Sequence, residues 1–200
     1  MYSKTNQSSD RWFISDDQFN QLFPAHFHSQ INMHWTPLAI AKKAVEFLTL
    51  QKSNKVLDIG SGAGKFCLAA AFYRPDCFFT GVEQRKELVE AAESARVKLQ
   101  LTNVQFIHSN IINIDFSAYR HFYFFNSFFE NIDEGFRIDD AVSYSGDLFR
   151  AYSAYVLRQL ETRPSGTRLV SFHSVEDEIP HSFHEIASAD DQLLKCWVKE

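Results

Sequence analysis

Asp58-Ile59-Gly60-Ser61-Gly62-Ala63-Gly64 stands between a short apolar run, Lys55 to Ile59, and an Ala-rich stretch, Lys65 to Tyr73. The run predicts a buried strand, and the stretch predicts a helix that Pro75 helps to stop. Glycines between them let the backbone turn sharply and come close to a ligand. That ligand is expected near the helix N-terminus, where backbone N–H groups point outward. Spacing then separates the ligand classes. A dinucleotide fingerprint counted from Gly60 needs glycine at position 65, where this chain has Lys65. A phosphate loop needs glycine at position 59 and Ser or Thr at 66, and the chain has Ile59 and Phe66. What remains is an acidic strand end followed by glycines. Asp58 would repel a pyrophosphate and suits a cationic ligand.

Outward from this loop the pattern alternates strand and helix. Phe78 to Glu83 is the second strand, and Arg85 to Leu101 a helix with Leu88, Ala92, Ala95 and Leu99 on one face. Val104 to His108 is the third strand. His121 to Asn126, apolar nearly throughout, is the fourth, as a strand covered on both faces should be. Gly146 to Leu160 is a helix, ended by Pro164-Ser165-Gly166, and Thr167 to His173 is the fifth strand. His181 to Ala187, a turn at Asp190-Asp191, and Gln192 to Val198 read as a hairpin. Upstream, Thr36 is the expected N-cap and Pro37 the first helical position. Leu38, Ala41, Val45 and Leu48 form the buried stripe of that helix. The expected fold is α/β: a doubly wound, mostly parallel seven-strand sheet with a C-terminal antiparallel hairpin and helices on both faces. Little helix fits between the third and fourth strands. Residues 1–35 are assigned to an N-terminal extension, frayed to about Ser9, and residues 36–200 to the ligand-binding domain.

Composition narrows the function classes. Two hundred residues make one domain with a sizeable core, and 20 phenylalanines give that core or a pocket much aromatic surface. A net charge of -5 speaks against a wide electropositive face, so nucleic acid is not the expected partner. No apolar signal core follows the start MYSKTNQSSD, and no apolar run is long enough to span a bilayer. A cytoplasmic protein without a membrane partner is expected. Cys67, Cys77 and Cys196 fit reduced thiols. His26, His28 and His34 lack a clean ligand spacing, so no metal is expected.

VLDIGSGAG, GVEQ and FNSFFEN resemble the nucleotide and catalytic motifs of the class I, seven-strand S-adenosylmethionine-dependent methyltransferases. The resemblance covers Thr36 to Asn131 well and the rest by architecture. HWTP, GKFCL and FFEN are similar to a family of bacterial methyltransferases, and the Thr-Pro pair with the asparagine motif faintly resembles the seven-strand histone-lysine methyltransferases. The implied cofactor is S-adenosyl-L-methionine, whose ammonium and sulfonium suit Asp58. Its implied contacts are Thr36, Asp58, Gly60, Ser61, Gly62, Gly64, Glu83, Gln84, Asn110 and Asn126. Glu83 ends the second strand, where a carboxylate can accept the ribose hydroxyls. Asn110, or its neighbour Ser109, takes the adenine position that is commonly an aspartate.

Asn126 is the expected catalytic residue, orienting the methyl acceptor through its side-chain carbonyl; a strand-end cap is its other reading. Ser127 stands where the asparagine motif of amine methyltransferases has a proline. Phe128 and Phe129 wall the pocket or belong to the core. Glu130 is the nearest candidate base, or a solvated carboxylate at a helix start. His173 is a further candidate for proton removal. The acceptor stays unidentified, with a small molecule or protein amine favoured. An RNA methyltransferase, or a binding protein without turnover, is the alternative. The oligomeric state is not readable.

Overall fold

The computed structural model describes residues 10–50, 54–174 and 178–200. The frayed start expected to about Ser9 lies outside the described residues. Seven strands form one sheet: β1 Lys55–Ile59, β2 Phe78–Glu83, β3 Val104–His108, β4 His121–Phe125, β5 Arg168–Phe172, β6 Phe183–Ala189 and β7 Leu194–Lys199. Their order is β3-β2-β1-β4-β5-β7-β6. The first five run parallel, and β7 lies antiparallel between β5 and β6. The chain moves outward from β1 to β3, then returns to place β4 on the other side of β1. That reversal opens a crevice at the carboxyl ends of β1 and β4, the ligand position in open α/β sheets.

Six α-helices accompany the described strands: α1 Asp16–Asn20, α2 Ile31–His34, α3 Leu38–Leu48, α4 Lys65–Tyr73, α5 Lys86–Leu99 and α6 Gly146–Glu161. Helices α3, α4 and α5 share one core with Val56, Phe79 and Tyr123. The opposite face packs α6 against Leu57, Phe122, Phe124 and Leu169. Side chains alternate along β4, so Tyr123 serves the first core while Phe122 and Phe124 serve the second. Between β3 and β4 there is room for only two short 3-10 turns, Ile111–Asn113 and Phe116–Ala118. They supply Ile111 and Phe116 to the second core in place of a helix.

Strand and helix boundaries fall within about two residues of the sequence expectation, with differences that have local causes. β4 stops at Phe125 because Asn126 turns into the left-handed region at φ 41°. The N-cap of α3 is Pro37, not Thr36. Thr36 is buried, and its hydroxyl instead satisfies the buried Tyr123 hydroxyl at 3.0 Å. The N–H that opens α3 and has no partner within the helix goes to Asp16 Oδ1, which accepts from Leu38 N at 3.0 Å. A tertiary contact has taken over a local cap. Gly64 opens α4 at φ 78°, and a Cβ there would lie 2.4 Å from Phe106 Cε1, so only glycine fits.

Residues 10–35 lie against the first core. Phe19, Leu22, Phe23 and Trp35 are buried in it, and Asp16 pairs with Lys65. No described helix is long and apolar enough to cross a membrane.

Candidate functional site

Two cavities open beside the carboxyl ends of β1, β2 and β4. The wider, of about 760 Å³, is lined by Gly60, Gly62, Glu83, Gln84, Ser109, Asn110 and Asn126, with Phe125, Phe128, Phe129 and Phe136 as aromatic walls. The narrower, of about 310 Å³, is lined by Thr36, Asp58, Gly60, Ser61, Trp35 and Lys65. Nine of the ten residues assigned from the sequence therefore meet at one place. Gly64 lines neither cavity; it shapes the loop from behind.

The loop is held from the second strand. Gly62 N donates to Glu83 Oε2 at 3.1 Å, and Arg85 N donates to Glu83 Oε1 at 2.9 Å. Glu83 is 5% exposed, so it is not a solvated strand end, and Oε2 keeps a lone pair for a further donor. Across the wide cavity, the Ser127 hydroxyl donates to Ile59 O and ties the turn after β4 to the end of β1. The serine in place of the motif proline thus has a structural use. A Cβ on Gly60 would sit 2.5 Å from Ser127 Cβ, so glycine permits this approach.

Asn126 follows, with its side chain half-buried at the wide cavity and engaged in no hydrogen bond among the described residues. Asn110 is more committed: its amide donates to Tyr152 Oη at 2.9 Å and its carbonyl accepts from Ile112 N at 3.1 Å. Phe128 belongs to both pocket wall and core, 5.5 Å from the Phe124 and Tyr152 rings.

The sequence marks Arg85 only as a helix residue, yet it organises this end of the sheet. Its guanidinium, in a residue 4% exposed, meets Glu83 Oε1 at 3.4 Å, Glu130 Oε2 at 2.6 Å and Asp139 Oδ1 at 3.1 Å, and donates to Tyr144 Oη at 2.8 Å. Burial opposes its charge, but the hydrogen bond to Glu130 and the neighbouring carboxylates raise its pKa. Glu130 is the partner in this pair. It is buried and ion-paired, neither a solvated helix-start carboxylate nor a free base; burial raises its pKa and Arg85 opposes that rise. The signal in the sequence was the spacing of GVEQR and FFEN, which puts opposite charges at two strand ends converging on one crevice. His173, the other candidate for proton removal, is exposed, stacks on Phe125 and lines neither cavity.

The narrow cavity has a different chemistry. Asp58 is buried, and burial lifts its carboxyl to about 7, a thiol hydrogen bond from Cys67 at 3.4 Å opposing and the charge of Glu83 adding to the rise. Trp35 Nε1, Ser61 Oγ and His34 Nε2 are buried without partners among the described residues. The unpartnered Trp35 and Ser61 donors beside a buried carboxylate fit an amino-acid zwitterion, whose ammonium Asp58 could take and whose carboxylate those two donors and the Lys65 charge could take. The wide cavity fits a nucleoside, with Glu83 for ribose and the aromatic walls for a planar ring. The two together fit S-adenosylmethionine.

A family model described as a methyltransferase domain matches residues 50–197. A tRNA (guanine-N(7)-)-methyltransferase of Synechococcus sp. (strain JA-3-3Ab) is 53% identical over 55 residues, 28% of this chain and 23% of that protein. The same enzyme of Prochlorococcus marinus (strain NATL1A) is 40% identical over 77 residues, 38% of this chain and 35% of that protein. The chain thus spans about a quarter to a third of the length of these curated relatives. The RNA methyltransferase of Salinibacter ruber, solved with S-adenosyl-L-homocysteine, superposes with a TM-score of 0.57 at 15% identity, over 82% of this chain and 91% of that one. It shares the fold. The expectation against a nucleic-acid partner, drawn from net charge, is overturned by relatives that act on tRNA. Net charge averages a whole surface, whereas phosphate binding needs only a local cationic face.

Proposed function

This chain belongs to the methyltransferase-domain family, and on that footing we propose that it moves the methyl group of S-adenosylmethionine to a base of RNA. The observation that carries the reading is the pair of cavities meeting at Gly60, one suited to a nucleoside and one to a zwitterion. S-adenosylmethionine supplies an electrophilic methyl on a sulfonium, and the protein supplies position and electrostatics. Asp58 holds the ammonium, and Ser61, Trp35 and Lys65 hold the carboxylate. Glu83 accepts from ribose, while Ser109, Asn110 and Gln84 border the adenine. Asn126 turns its free amide toward the acceptor. Phe129 and Phe136, in edge contact at 5.0 Å, offer aromatic surface on which a base can stack.

The RNA acceptor rests on the relatives named above. A protein amine is the second reading, favoured by the exposed carboxylates Asp133, Glu134 and Asp140 on the segment that ends the cleft. Residues 36–200 form the catalytic domain on this reading, residues 1–35 an extension of it, and the cytoplasm is its place of work. Incubation with methyl-labelled cofactor and the RNA, protein and small-molecule fractions of a cell extract tests it. Label is expected in material that ribonuclease removes. Label confined to protein, or to small molecules, sinks the RNA assignment.

Asp58 gives a pH dependence with a definite sign. In the free protein its carboxyl stands at about 7, far above its ordinary 3.8. An ammonium beside it favours the ionised form. Cofactor binding should therefore release a proton below pH of about 7, and affinity should rise with pH up to that value and then level off. Calorimetric titration in two buffers of different ionisation heat reads the proton directly. Asp58→Asn should abolish the release. The same shift makes the free protein lose stability as pH rises from about 4 to 7, because the folded state holds the proton that the unfolded state has shed.

A further inference from the structure

Among the described residues, only His34, Gly60 and Phe125 line both cavities. A ligand with its nucleoside at Glu83 and its amino acid at Asp58 must cross from one cavity to the other past these three residues. The sulfur and its methyl group join those two parts, so they lie at the crossing. His34 is thus beside the reacting atoms, on α2 and across the cleft from the sheet. Its Nε2 is buried and hydrogen-bonded to nothing among the described residues. An imidazole nitrogen left in that state has lost water and gained nothing for it, which is the condition of a group completed by a ligand. Burial, and then the charge of Arg85, hold the imidazole at about 4, so it is neutral near pH 7. With the ring proton on Nδ1, Nε2 offers a lone pair.

We propose that His34 is a catalytic residue of the methyl transfer, its Nε2 taking the proton that an acceptor N–H gives up, and that the acceptor is an exocyclic amino group of an RNA base. The inference rests on the function proposed above. An amino group presents two hydrogens. The Asn126 carbonyl can hold one but cannot take a proton, and His34 can take the other. As the acceptor nitrogen bonds the methyl carbon, the carbon–sulfur bond breaks and its electron pair stays on sulfur. The nitrogen proton passes to Nε2, and the imidazolium, more acidic than an ordinary one, hands it on to water. A ring nitrogen without hydrogen, such as the one named for the tRNA relatives, would leave His34 no proton to take.

The test uses the full chain, methyl-labelled cofactor and the RNA of a cell extract, digested to nucleosides after reaction. Label on exocyclic amines is expected. His34→Ala should lower turnover about a hundredfold, while the dissociation constant for S-adenosylhomocysteine stays within about threefold. Added imidazole should restore part of the rate, and His34→Gln, which cannot carry the proton, should stay slow. The ring signal of His34 in an NMR titration should move when S-adenosylhomocysteine is added. Unchanged turnover in His34→Ala, a ring signal that does not move, or label on a ring nitrogen without hydrogen overturns the assignment. A loss of turnover matched by lost cofactor affinity, with no rescue by imidazole, overturns it as well. A wild-type protein that binds S-adenosylhomocysteine yet labels no RNA overturns the proposed function, and His34 falls with it.

Discussion

Arg85→Met should lower the stability of the protein by about 3–5 kcal/mol, the usual cost of removing one partner from a buried ion pair. For a chain of this length that is a fall in Tm of roughly 6–20 °C. The cause is not the lost contacts alone. Glu83 and Glu130 are both buried, and without the guanidinium they face each other with no cation between them. Their charge then opposes folding, so the loss should be largest at alkaline pH and shrink toward pH of about 5, as the folded state takes up protons that the unfolded state does not hold. Arg85→Lys keeps a charge but not the planar fork that reaches Glu83, Glu130 and Asp139 together, and should recover only part of the loss. Thermal unfolding of the three proteins across pH decides the matter. A methionine variant as stable as the parent at pH 8 would show that the network carries no weight.

The second large effect is on turnover at Asn126. If the side-chain carbonyl holds the acceptor against the methyl group, removing it should slow transfer about a hundredfold, as small misplacements of reacting groups do. Affinity for S-adenosylhomocysteine should stay within about threefold, because the lost interaction acts on the acceptor. Alanine alone is a poor probe here. Asn126 has φ 41°, and asparagine tolerates the left-handed region better than alanine does. Asn126→Ala therefore mixes backbone strain with lost chemistry. Asn126→Gly removes the carbonyl and adopts the left-handed region without strain. Slow transfer in both variants, with normal cofactor binding, supports the assignment. A strand-end cap instead predicts lower Tm and unchanged turnover per folded molecule.

Much of the sheet was legible because its signals are local. Apolar runs of five or six residues gave the strands, and a 3.6-residue stripe gave α3 and α5. The elimination by spacing at Lys65, Ile59 and Phe66 needs only local sequence to leave a cationic ligand. What escaped depends on residues far apart in the chain. Thr36 has the chemistry of an N-cap, but Tyr123, 87 positions away, claims its hydroxyl, and Asp16 supplies the cap from a helix that no periodicity announced. Glu130 looked solvated because nothing in its own neighbourhood shows that Arg85 will reach it across 45 positions. In the sequence, His34 raises only the question of a metal ligand. Its place between two cavities is a fact of packing, with no trace in spacing. The expectation about nucleic acid failed for a related reason: total charge is a sum, and recognition is local.

The order β5-β7-β6 places the last of the seven described strands between two made earlier. During vectorial synthesis β6 has nothing to pair with until residues Leu194–Lys199 arrive, and β5 waits with one edge open. Trp197, whose indole N–H donates to Ser171 Oγ at 2.9 Å, arrives with that strand and covers the second core. A ribosome that stalls short of Leu194 would therefore hold a nascent chain with a complete cofactor loop and an unsealed sheet. Such a chain could bind its small ligand before it had protected its own hydrogen-bonding edge.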